Sequence, residues 1–202
     1  KVLDSLGVKI DYISGTSMGS IVGAMYASGY SGKEIEKIVL ETDFYSIISN
    51  EKNRKETTFF NKSTDKYIIS LPVINGKVNV LPKAISSGQK NIYVLNEIFK
   101  NVSNVNDFSK LPIPFMCIAT NLETGKMKVI ENGDIVNSIM ASSAFPTLMD
   151  PVKINDSLYI DGAMTTNFPS KPLKDKKLDF VIGVDVSQGL SKRENLQGAL
   201  DI

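Results

Sequence analysis

Gly15-Thr16-Ser17-Met18-Gly19 lies between two segments of different periodicity, and that change of period decides the fold. Before it, Val8, Ile10, Tyr12 and Ile13 form a short apolar, partly β-branched run that reads as a strand. After it, Ile21, Val22, Ala24, Met25 and Tyr26 recur at helical spacing. A strand that turns into a helix around G-x-S-x-G is a nucleophile elbow, which lifts the serine hydroxyl clear of the sheet. Gly15 and Gly19 suit such a turn, because a β-carbon at either position is expected to collide with the crowded backbone. Ser17 then stands at a helix N-terminus, where free N–H groups and the macrodipole favour a developing negative charge, and the Met18 N–H is a candidate oxyanion donor. The alternative is a Gly/Ser turn without chemistry.

Among 202 residues there is no histidine. A serine hydroxyl is a weak nucleophile until a neighbour takes its proton, so a base other than imidazole is required. The candidate is Asp161, in Leu158-Tyr159-Ile160-Asp161-Gly162-Ala163, where an alternating strand ends in a carboxylate followed by glycine. Gly162 permits close approach of another backbone, and the apolar approach strand implies desolvation, which raises carboxylate basicity. The competing reading of Asp161-Gly162 is a hairpin turn. Asp185, in Val181-Ile182-Gly183-Val184-Asp185-Val186, is the rival base.

Composition narrows the function classes. With 42% hydrophobic residues, about 200 residues support one sizeable core, and residues 1–202 read as a single domain. A net charge of +1 supplies no general attraction to nucleic acid, and no arginine-rich stretch suggests that partner. Cys117, alone in Phe115-Met116-Cys117-Ile118-Ala119, reads as a packed small hydrophobe, and without histidine a zinc or iron site is not expected.

Strands and helices alternate along the chain. Ser31-Gly32-Lys33-Glu34 opens a second helix with a capping box and continues through Ile35, Ile38, Val39 and Leu40. A polar, charged stretch then leads to Phe59, Phe60, Tyr67 and Ile68, which reads as a solvated loop or as a mobile flap over about 50–70. Ile85, Ile92, Val94, Leu95 and Phe99 read as helical and border either an acyl pocket or ordinary core. Further strands are expected at Phe115–Ala119, Lys126–Ile130, Leu158–Ile160 and Phe180–Val186, with a helix at Ile135–Ser142. Runs apolar on both faces suit strands buried under helices, which makes the class α/β with three layers.

With the Ser17 pentapeptide near one end, Asp161-Gly162-Ala163 near the other and no histidine between, the chain resembles the patatin-like phospholipase family. Ile21–Tyr30, Leu111-Pro112-Ile113-Pro114-Phe115, Ala119–Gly125, Ala141-Ser142-Ser143-Ala144-Phe145-Pro146 and Asn167-Phe168-Pro169 extend the resemblance over nearly the whole chain. It implies a three-layer α/β/α fold with a central, mostly parallel sheet. It also implies a Ser/Asp dyad of Ser17 as nucleophile and Asp161 as base, acting on acyl esters of phospholipids or lysophospholipids, with no metal or cofactor. Transient contact with a membrane surface follows from such a substrate; an acyltransferase and a non-catalytic lipid-binding scaffold are the alternatives, and a homodimer is left open. Family members place a first strand and a glycine-rich oxyanion loop before the helix leading to the elbow. Lys1–Gly7 reads as the last turns of that helix, so the stretch is expected to lack its native beginning. Arg193–Ile202 is expected to enter a helix. The C-terminal part is most similar to a bacterial subgroup fused to an outer-membrane β-barrel, which implies a passenger displayed or released at the cell surface, with a cytoplasmic esterase as the alternative.

Overall fold

A computed structural model describes residues 1–42, 73–74, 77–78, 88–146 and 148–186. Its centre is β4, Phe115–Asn121, whose first six residues are all buried. Both of its faces are therefore covered. Phe115, Cys117 and Ala119 join the core formed with α2, Met18–Ala27, and α5, Ile135–Ser143, while Met116 and Ile118 are as fully buried on the reverse face. Alternate side chains of a strand point to opposite faces, so a strand apolar at every position needs a layer on each side.

The register explains how the site is assembled. β1, Ile13–Thr16, runs parallel to β4 and places Thr16 opposite Ile118. β7, Ser157–Asp161, runs antiparallel to β4 and places Asp161 opposite Ala119. β5, Met127–Ile130, pairs with both Ile118 and Ala119 from the other edge. β1 and β7 therefore share one edge of β4, approach from opposite directions, and end opposite consecutive residues. The chain leaves both strands at the same point in space. β6, Val152–Ile154, completes the sheet beside β7, and β2, Val73–Ile74, pairs with β3, Lys77–Val78, in a separate ladder.

The α/β class is as expected, but the sheet is mixed and not mostly parallel: among the described residues only β1–β4 is parallel, and the other pairings of this sheet are antiparallel. The physical reason lies in connection length. Only two residues, Asn155 and Asp156, join β6 to β7, and a link that short cannot carry the crossover that parallel neighbours need. Phe180–Val186 forms no ladder, and Val181, Ile182, Val184 and Val186 are exposed. An apolar run predicts a buried strand only where something covers it. β1 also begins later than Val8, which lies at the surface.

Local signals are obeyed closely. α3, Gly32–Glu41, has the expected capping box: Ser31 Oγ accepts from Glu34 N–H at 3.3 Å, and a Glu34 carboxylate oxygen accepts from Ser31 N–H at 2.8 Å. α1, Val2–Ser5, closes before Gly7 at φ +65°, and its Asp4 ties it to α3 through Gly32 N–H at 2.9 Å and to α2 through the Tyr26 hydroxyl at 3.0 Å. α4 is Gln89–Ile98. The flap expected at 50–70 and the helix expected at 193–202 lie outside the described residues.

Candidate active site

The convergence of β1 and β7 brings Ser17 Oγ within 2.6 Å of Asp161 Oδ2, the hydroxyl donating to the carboxylate. Ser17 has φ 53° and ψ −124°, a conformation that costs a non-glycine residue free energy and persists only where the surroundings fix it. Its carbonyl accepts from Ser20 N–H at 2.8 Å and from the Ser20 hydroxyl at 2.6 Å, and its own N–H donates to Ser142 Oγ at 3.0 Å.

The glycines divide. A β-carbon on Gly15 would stand 2.3 Å from the Gly19 carbonyl oxygen, so β1 and α2 close the elbow only with glycine there. At Gly19 nothing lies within 4 Å of such a carbon, contrary to the sequence expectation; it is the Gly19 carbonyl that crowds Gly15, while the Gly19 Cα faces open space. Gly162 is as constrained as Gly15, because a β-carbon would meet the Ile118 carbonyl oxygen at 2.2 Å. Asp161-Gly162 is not a hairpin: it opens a short 3-10 turn, Gly162–Met164, capped by Asp161 Oδ1 accepting from Ala163 N–H at 2.8 Å.

Asp161 is 1% exposed, and burial pushes its carboxyl above the ordinary carboxylate range against the opposing hydrogen bonds from Ser17 and Ala163. No cation contacts it among its hydrogen bonds and ion pairs in the described residues. A buried carboxylate without a cationic partner has its proton affinity raised, which is what a base for a serine hydroxyl requires. Met18 and Gly19 open α2, and their N–H groups precede the first intrahelical donors, so they are free to meet a negative oxygen at Ser17.

Two cavities meet at Ser17. One, of about 170 Å³, is apolar, reached past Met18 and Phe145 and walled by Ile21, Leu95, Ile98 and Met149, with Asp161 at its edge. The other, of about 270 Å³, is more polar and runs past Gly19, Asn167 and Ser170 towards the 181–186 segment. Val94 and Leu95 thus border an apolar pocket, as one sequence reading had it, whereas Phe99 is wholly buried core, Ile92 is exposed, and Ile85 lies outside the described residues. Asp185 borders the second cavity, and the carboxylate that Ser17 meets is that of Asp161.

The sequence profile of the patatin-like phospholipase family matches residues 1–174. The chain belongs to this family. It is similar to the uncharacterized protein R571 of Acanthamoeba polyphaga mimivirus, at 30% identity over 95% of the chain and 58% of the viral protein. It is also similar to lysophospholipase NTE1 of Meyerozyma guilliermondii, at 25% identity over 91% of the chain and 11% of the yeast protein. NTE1 of Cryptococcus neoformans is 27% identical over 92% of the chain and 10% of its own length. The patatin-like chain therefore spans little more than half of one relative and about a tenth of the others. These relatives are viral and fungal, and give no support to the bacterial, barrel-fused subgroup.

Ser17, Met18, Asp161 and Gly162, which the sequence singles out from separate motifs, lie together in this patatin-like fold. Sequence reasoning treated Ala141–Pro146 only as a family signature. Ser142 Oγ accepts from the Ser17 N–H, the Ala144 carbonyl accepts from Asp161 N–H at 2.9 Å, and Ser143 and Phe145 line the apolar cavity. The double serine before Ala-Phe-Pro was the available signal, because hydroxyls at a buried helix end need acceptors: Ser143 finds the Ile139 carbonyl of its own helix, whereas Ser142 finds the Ile118 carbonyl of β4.

Proposed function

We propose that this chain is the catalytic domain, residues 1–202 acting as one unit, of a lipid acyl hydrolase of the phospholipase A or lysophospholipase type. The observation that carries the reading is the 2.6 Å contact of Ser17 Oγ with a buried carboxylate at the mouth of an apolar cavity. Asp161 accepts the hydroxyl proton as Ser17 Oγ adds to the ester carbonyl. The oxyanion develops beside the Met18 and Gly19 N–H groups at the head of α2. Its collapse breaks the bond to the leaving alcohol, whose oxygen takes the proton back from Asp161. Water then adds to the acyl-serine, giving its proton to Asp161, and the fatty acid leaves as Ser17 is reprotonated.

The apolar cavity suits one acyl chain, which places the ester at Ser17 and the polar remainder towards the second cavity. Met18, Phe145 and Phe168 are 49%, 40% and 45% exposed around these openings, an apolar rim suited to brief contact with a lipid surface. The names of the fungal relatives support lysophospholipids as a substrate class.

The test is fatty-acid release from lysophosphatidylcholine and from diacyl phosphatidylcholine vesicles by the full-length protein, beside Ser17→Ala and Asp161→Asn. Release by the unaltered protein and its loss in both variants is expected, and the ratio of the two substrates assigns the type. Equal release by Ser17→Ala excludes the mechanism.

A further inference from the structure

The rung of the β1–β4 ladder at the elbow is not a direct backbone bond. Ile13 N–H donates to the Pro114 carbonyl at 2.9 Å. In a parallel pair the donors of one strand recur at every second residue, and the register of Gly15 opposite Cys117 advances the acceptors in step, from Pro114 to Met116 to Ile118. The third donor is Ser17 N–H and the third acceptor is the Ile118 carbonyl. Between them stands Ser142 Oγ, which accepts from Ser17 N–H at 3.0 Å and donates to Ile118 O at 2.6 Å. Ser142 is wholly buried, so both of its partners depend on it for satisfaction.

We propose that Ser142 is a positioning residue that lengthens this rung by one hydroxyl and thereby lets Ser17 lift out of the sheet into its strained conformation. A direct bond would hold the Ser17 amide in the ladder, where φ stays near strand values. The inserted hydroxyl keeps the amide paired while φ reaches 53°. Two residues on, the Ala144 carbonyl accepts from Asp161 N–H at 2.9 Å. The end of α5 thus holds the backbone of both dyad members, and Ser142 sets the nucleophile's share of the 2.6 Å contact. Displacement of a reacting group by about 1 Å costs on the order of 10²-fold in rate.

Its catalytic consequence rests on the hydrolase reading above, whereas its structural part does not, and the test separates the two. Ser142→Ala removes the bridge, and Ser142→Cys keeps a side chain there with a far weaker donor should the alanine variant fail to fold. Ser138→Ala is the control: it deletes another buried α5 hydroxyl, one that bonds only to the Asp134 carbonyl of its own helix start. The expected result is Ser17 amide hydrogen exchange faster by about tenfold or more in both Ser142 variants, with kcat on a short-chain p-nitrophenyl ester lowered by about 10–100-fold and KM held within about twofold. Ser138→Ala is expected to change neither. A Ser17 amide that keeps its protection in the Ser142 variants overturns the bridge. Unchanged kcat, or an equal loss in Ser138→Ala, overturns the positioning role. Absence of turnover in the unaltered protein counts against the hydrolase reading, and the exchange measurement still decides whether Ser142 holds the turn.

Discussion

Asp161 owes its buried environment to where β7 delivers it. Its carboxyl is buried against a hydroxyl and an amide without a cation, and desolvation is the largest influence on it. Asp161→Asn is expected to lower kcat/KM by about 10²–10⁴-fold, read from initial rates. Its effect on stability runs the other way. Because the folded-state pKa is raised, the unfolded chain holds fewer protons at Asp161 than the native state once the pH exceeds about 4, so this group's contribution to stability falls as pH rises through the folded-state value. Thermal melts are therefore expected to show Asp161→Asn at least as stable as the parent at pH 7, with the difference shrinking towards pH 4. A variant clearly less stable at pH 7 would contradict that electrostatic account. The two glycines of the site make a sharper pair. Gly162→Ala drives a carbon into the Ile118 carbonyl and is expected to cost about 3 kcal/mol or more, whereas Gly19→Ala meets open space in a helix and is expected to gain up to about 1 kcal/mol in denaturant unfolding.

Elements were legible in the sequence where their signals are local. The capping box of α3 needs only Ser31 and Glu34, and both bonds are present. Ser31→Ala is accordingly expected to cost about 1 kcal/mol, measured by urea unfolding. Strand limits were less legible because pairing sets them: β7 extends to Asp161 because Ala119 pairs with it, and Phe180–Val186 reads as a strand yet joins no ladder among the described residues. Cys117 followed its apolar neighbours into the core, where burial pushes its thiol well up from the ordinary range. It is expected to resist alkylation in the native protein at pH 8 and to react at once in denaturant; prompt native labelling would contradict the packing.

At the scale of the whole molecule, the meeting of Ser17 and Asp161 depends on two strands that share one edge of β4 and end opposite Ile118 and Ala119. Their motifs stand 144 residues apart in the chain, so each was readable alone and their meeting was not. The contacts of Ser142 at the end of α5 were invisible for the same reason, since its partners are the Ser17 amide and the Ile118 carbonyl, which sequence leaves unplaced. The apolar cavity is likewise assembled from α2, α4, α5 and the segment after it. Filling it with Ile98→Trp is expected to shift activity towards shorter acyl chains without loss on short esters, measured over a series of chain lengths.

The central claim is that Ser17 is a nucleophile activated by Asp161 in a chain without histidine. Its most direct test is covalent labelling of the full-length protein by a fluorophosphonate, with the adduct located by peptide mass and the rate followed against pH. The account predicts one adduct, on Ser17, with a rate that falls on acidification as Asp161 protonates and that drops by at least about 10²-fold in Asp161→Asn. An adduct elsewhere, or an Asp161→Asn variant that labels at the parent rate, would contradict it.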